Sequence, residues 1–122
     1  MSKSLFENYS TYLKNKDILY FVDKLRKKIK SLSPNIKESF RSCYISYKLD
    51  KCFVYIWFSK NNFWVYFKTN SKFKDNKGLC EDVPKGVTAT FDKRIKVNNQ
   101  NFTYVLFLIK QSYSIVKNEQ QQ

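Results

Sequence analysis

Asp75-Asn76-Lys77 is a D-x-K triplet, and Asp50 stands upstream of it. A distant carboxylate with such a triplet is the ligand pattern of a metal-dependent nuclease. Here the triplet falls in the polar stretch "TNSKFKDNKG" (69–78) rather than on a strand, where ligands are held rigidly, so it is not read as a centre. The chain contains no histidine, which removes Ser-His and Cys-His nucleophile pairs and imidazole acid–base groups. Cys43, Cys52 and Cys80 are odd in number, widely spaced and without a C-x-x-C, so free thiols in a reducing cytosol are expected. No catalytic residue, metal site or cofactor is assigned, and the chain is read as not an enzyme.

Charge is the stronger signal. Lys and Arg number 23 against ten acids, for a formal net charge of +13. Lys24, Arg26, Lys27, Lys28 and Lys30 form one cluster, Lys68, Lys72, Lys74 and Lys77 a second, and Lys93, Arg94 and Lys96 a third. Such a surplus raises the local potential and favours polyanions, nucleic acid ahead of acidic proteins or anionic lipid, the alternative being a merely solvated surface of a lysine- and asparagine-rich chain.

The stretch "KCFVYIWFSKNNFWVYFKT" (51–69) holds eight aromatic rings in nineteen residues. Read as a hairpin with an even-length turn, it pairs even residues of one strand with odd residues of the next. One face then carries Val54, Ile56, Phe58, Phe63, Val65 and Phe67, all without a polar atom, and must be core. The other carries Phe53, Tyr55, Trp57, Trp64, Tyr66 and Lys68. Tyr55, Trp57, Trp64 and Tyr66 are candidates for an aromatic surface with three readings: a layer covered by an N-terminal helix, a homodimer contact, or a base-stacking platform.

The elements that position these groups follow from periodicity. "SLFENYSTYLK" (4–14) has a capping box at Ser4 and Glu7 and reads as a helix. Asp17 caps a second helix with Ile18, Phe21, Val22, Leu25, Ile29 and Leu32 on its apolar face. Ser33 and Pro34 predict a short third helix bearing Ile36 and Phe40. Strands are predicted over 43–49, 52–58, 63–68 and 87–91, with 94–97 continuing the last. Glu81 and Asp82 read as bracing the loop before the fourth strand. Asn98 or Asn99 caps a closing helix over roughly 100–117, with Phe102, Val105, Leu108, Ile109, Ser112 and Val116 facing inward. The class is α+β: N-terminal helices, a curved antiparallel sheet of four to six strands and a C-terminal helix packed on one sheet face. It forms one domain over 1–122, with an N-terminal helix over 1–16, a core over 17–117 and a frayed tail over 118–122. No stretch approaches ~18 apolar residues and "MSKSLFENYS" lacks an apolar segment, so neither a membrane span nor a secretory signal is expected, and the location is read as cytoplasmic.

At "NKGLCEDV" (76–83) and "FTYVLFLIKQSY" (102–113) the chain resembles an uncharacterised bacterial domain family labelled "predicted transport protein", found alone or fused to restriction-endonuclease-like domains. "LRKKIKSLSPNIKE" (25–38), "YISYK" (44–48) and "FVYIWF" (53–58) extend the resemblance over about Leu19 to Tyr113, and "LIKQSY" (108–113) is its most specific piece. The resemblance implies a small α+β domain with a curved antiparallel sheet, and more loosely a likeness to double-winged DNA-binding domains; it carries over no catalytic residues. The chain departs from the family in having one glycine in "PKGVTATFDKRIKV" and aromatics at Tyr55, Trp57 and Trp64, where polar residues are usual.

The functional expectation is a non-enzymatic nucleic-acid-binding domain, DNA ahead of RNA and duplex ahead of single strand, that holds phosphates with its basic clusters. The alternative is a protein-interaction or homodimerisation module built on the aromatic sheet face, accessory to a nuclease or defence system.

Overall fold

The pairing of apolar residues every second position in 52–58 and 63–67 organises the molecule, because each strand then offers one wholly apolar face. The structure, a computed structural model, describes residues 16–41, 44–58, 63–84 and 91–120. Helix α1 (Lys16–Lys30) is followed by β1 (Lys37–Phe40), β2 (Tyr44–Lys48), β3 (Cys52–Phe58), β4 (Phe63–Phe67), β5 (Glu81–Asp82), β6 (Lys93–Lys96) and helix α2 (Phe102–Gln120). The strands form one curved, unclosed antiparallel sheet in the order β1-β2-β3-β4-β6-β5. The fold class is α+β, as the sequence predicts, and α2 packs on one sheet face.

The hairpin register is the expected one, with Ile56 opposite Val65 and Trp57 opposite Trp64. The helix-side face joins Val54, Ile56, Phe58, Phe63, Val65, Phe67 and Ile95 to Val22, Leu25 and Ile29 of α1 and Val105, Leu108 and Ile109 of α2 in a single core. Phe53 departs from the alternation. The β2–β3 register shifts between Tyr47 and Lys48, so that Phe53 has no partner on β2. This bulge leaves Phe53 in the helix-side core beside Val54, with its ring 5.6 Å from that of Tyr113 on α2.

Three local expectations are corrected. The predicted short helix after Pro34 is strand β1. Ser33 does accept a hydrogen bond from the Asn35 N–H through its hydroxyl, and Ile36 N–H donates to the Ser33 carbonyl, but this closes one turn only. Pairing with β2 then takes the next four residues, because it brings Glu38 opposite Tyr47 and Phe40 opposite Ile45. Glu81 and Asp82 form a strand of their own, held by cross-strand ion pairs to Arg94 and Lys93. The closing helix runs past 117 to Gln120, and its entry is built by Asn98, whose side-chain oxygen accepts from the N–H groups of Gln100 and Asn101. The predicted helix over 4–14 and most of the predicted strand over 87–91 lie outside the described residues, and Phe91 itself is not in a strand.

Candidate nucleic-acid interface

Arg26 and Glu38 show which of the predicted cations are committed elsewhere. Glu38 sits on the helix-side face with its side chain 8% exposed, and Arg26 reaches it from α1 with its side chain 17% exposed. The guanidinium donates from Nε to Oε2 at 3.0 Å and from Nη2 to Oε1 at 3.2 Å, while Tyr47 donates its hydroxyl to Oε2 at 2.6 Å. Asp23 takes a further guanidinium hydrogen at 3.1 Å, and Lys30 lies 3.6 Å from Glu38. Burial by itself would raise the Glu38 pKa; the Arg26 and Tyr47 hydrogen bonds outweigh it and hold the carboxyl below its ordinary value. Arg26 is therefore the pin that fixes α1 to the sheet.

Arg94 and Lys93 also have acidic partners. Arg94 donates to Glu81 at 2.7 Å and to the Tyr66 hydroxyl at 2.9 Å, with its guanidinium 4.5 Å from the Trp64 ring centre. Lys93 is paired with Asp82. The row Ser39, Ser46, Tyr55, Tyr66, Arg94 and Glu81 runs across all six strands on the face away from the helices. On that face Tyr66 is 2% and Tyr55 9% exposed, and both pack with Phe91. Those two rings are core members of a second, smaller cluster rather than an open surface. Trp57 and Trp64 are half-buried, with Tyr44 stacked parallel to Trp57.

Lys24, Lys27 and Lys28 on α1, Lys72, Lys74 and Lys77 in the loop after β4, and Lys96 on β6 are exposed, and Lys68 is half-buried. Among the described residues none of these eight forms an ion pair. The loop that carries four of them is held in one shape by α2. Gln111 accepts from the Lys74 N–H at 2.7 Å and donates to the Lys74 carbonyl at 2.8 Å. Buried Ser112 donates to the Lys68 carbonyl at 2.8 Å, and Phe73 packs on Phe67. Tyr104 donates to Asp75 and accepts from the Lys77 N–H at 3.0 Å. Asp75 also receives the N–H groups of Leu79 and Cys80, and Gly78, at φ 62°, closes the turn onto the Asp75 carbonyl. The D-x-K triplet is thus a loop fastening, and among the described residues no group of three or more His, Cys, Asp or Glu is placed to hold a metal.

Sequence reasoning misses Lys110, which sits inside "LIKQSY", outside the three basic clusters. It lines two clefts. One, of about 230 Å³, lies between the end of α1 and α2 and includes Lys28, Leu32 and Leu106. The other, of about 480 Å³, lies between α2 and the loop and includes Asn70 and Lys72. Lys110 therefore links the α1 cluster to the loop cluster, which the sequence leaves as separate runs. Among the described residues no helix is long and apolar enough to cross a membrane.

No curated protein and no solved structure matches the chain. A family model described as a domain of unknown function (DUF5655) matches residues 9–116, which include α1, all six strands and most of α2. The loop-fastening residues Tyr104, Gln111 and Ser112, the whole sheet with its ion-pair pin and the cleft between the two helices fall within that match, and the chain belongs to the DUF5655 family.

Proposed function

We propose that the protein binds nucleic acid without catalysis, through a basic track running from α1 over Lys110 to the loop after β4. The observation that carries this reading is the position of Lys110 in both clefts, between Lys28 on one side and Lys72 on the other. Lysines without acidic partners keep their charge available for phosphate, and a loop already fastened to α2 adds little ordering cost when a ligand arrives. Contacts of this kind position a backbone and do not encode a base sequence, so duplex DNA of any sequence is the expected ligand. A role beside a nuclease or defence system fits such sequence-blind binding and the resemblance to nuclease-fused domains.

The test is fluorescence anisotropy with a labelled duplex over a salt series. Combining Lys28→Glu, Lys72→Glu and Lys110→Glu removes about three phosphate contacts and should make the slope of log K against log salt shallower by about 2.7. Unchanged binding in that variant, or no binding by the wild-type protein at about 50 mM salt, refutes the track. In the latter case the half-buried Trp57 and Trp64, with stacked Tyr44, favour the interaction-module reading, and sizing at high concentration should then show a dimer.

A further inference from the structure

The outward face of α2 is polar at Thr103, Lys110, Ser114, Lys117 and Asn118, yet Phe107 lies among them 44% exposed. Its ring borders the larger cleft, with Lys110 one turn further along α2 and Lys72 on the opposite wall. Behind it Tyr104 packs at 6.0 Å, and the Lys77 ammonium lies 5.1 Å from the Tyr104 ring centre. The cleft therefore offers an apolar ring, supported from one side, in the same lining as Lys72 and Lys110, which form no ion pair among the described residues; Glu119, further along α2, lines the cleft as well.

We infer that this cleft takes one unpaired nucleotide of a single strand, its base stacked on Phe107 and its flanking phosphates on Lys72 and Lys110. Charge and shape agree on this occupant. A nucleic-acid base is an apolar plane with an anion on either side, and rings beside a basic groove are how sequence-tolerant single-strand binders work. A cleft of about 480 Å³ accommodates a single nucleotide. Of the sheet aromatics, Tyr55 and Tyr66 are buried and do not serve this purpose. The inference rests on the nucleic-acid reading above and adds to the duplex-binding track a site for an unpaired base.

The experiment measures binding of a labelled twelve-nucleotide oligothymidine and of a twelve-base-pair duplex to the wild-type chain, Phe107→Ala and Phe107→Tyr, with melting curves to confirm folding. The ratio of single-strand to duplex affinity should fall on the order of ten-fold in Phe107→Ala and return to the wild-type ratio in Phe107→Tyr, whose ring still stacks. If the wild-type chain binds both ligands and Phe107→Ala leaves the ratio unchanged, the stacking site is wrong and the basic track stands. If Phe107→Ala weakens both ligands equally, the stacking site is equally refuted. If the wild-type chain binds neither ligand, both readings fail together.

Discussion

Changing Glu38 to Gln tests whether the Arg26 cluster holds the fold or waits for a phosphate. The substitution keeps the shape of the side chain and an oxygen for the Tyr47 hydroxyl, and removes the charge together with one of the two acceptors, leaving an amide N–H facing the Arg26 guanidinium. Arg26 would retain Asp23, whose side chain is 40% exposed, and lose a two-point contact to a carboxylate that is 8% exposed. Removing one partner of a buried pair costs about 3–5 kcal/mol, and the surviving Asp23 contact places this case near about 3 kcal/mol. Urea unfolding followed by tryptophan fluorescence reads that loss directly. The pH dependence supplies a second arm. The folded pKa of Glu38 lies below its ordinary value of 4.5, so the stability it contributes is fully present above that value and is lost as pH falls through the folded pKa. The gap between wild-type and Glu38→Gln should accordingly be widest near neutrality and close on acidification. Replacing the pair together, as Arg26→Met with Glu38→Leu, should recover much of the loss, since an apolar pair leaves no buried charge uncompensated. A Glu38→Gln cost below about 0.5 kcal/mol, within the range of an exposed pair, or a gap that does not change with pH, would refute the assignment of Arg26 as a structural pin.

Two further outcomes are expected. Ile56→Ala and Tyr66→Ala should each cost about 2–5 kcal/mol in urea unfolding, because both side chains are buried, with half-buried Trp57→Ala costing less than either; equal losses at Ile56 and Trp57 would show that the outer rings are core throughout. The Cys80 thiol, pushed up to about 12 by burial and by the neighbouring Asp75 carboxylate, should react slowly with iodoacetamide in the folded protein at about pH 8 and readily once unfolded. Because its folded pKa exceeds the ordinary 9.0, the stability it contributes is present below that pH and is lost as pH rises towards 12, so the wild-type chain should lose more stability than Cys80→Ala over that interval.

The parts of this fold that sequence revealed are those where one residue type repeats at one period. The β3–β4 hairpin and the inward faces of both helices are of this kind, since each buries a periodic apolar row, broken in α2 only by Ser112. What stayed hidden depends on partners far apart in sequence. β1 carries a local turn signal at Ser33 and Pro34, and its strand character comes from β2 and from Arg26, twelve residues before Glu38. β5 is two residues long and is visible only through its ion pairs with β6. The basic clusters were legible as charge but not as geometry. Arg26, Lys30, Lys93 and Arg94 look like their neighbours in composition and differ only in having an acid across the fold. Lys110 is hidden for the converse reason, being an isolated lysine on a helix that only the fold brings to the two clefts it borders.

The loop after β4 is fastened largely through its main chain. Gln111 grips the N–H and carbonyl of Lys74, Ser112 the carbonyl of Lys68 and Tyr104 the N–H of Lys77. Within the loop only a few side chains are needed for its shape, chiefly Phe73 against Phe67, Asp75 as acceptor and Gly78 at its positive φ. The lysines at 72 and 74 are exposed and form no ion pair among the described residues, while the Lys77 ammonium lies over the Tyr104 ring. Exchanging Lys72 or Lys74 for an acid, amide or aromatic removes no hydrogen bond that holds the backbone, so the loop is expected to act as a writable surface on a fixed scaffold, where a different ligand preference could be installed without redesigning the domain beneath it.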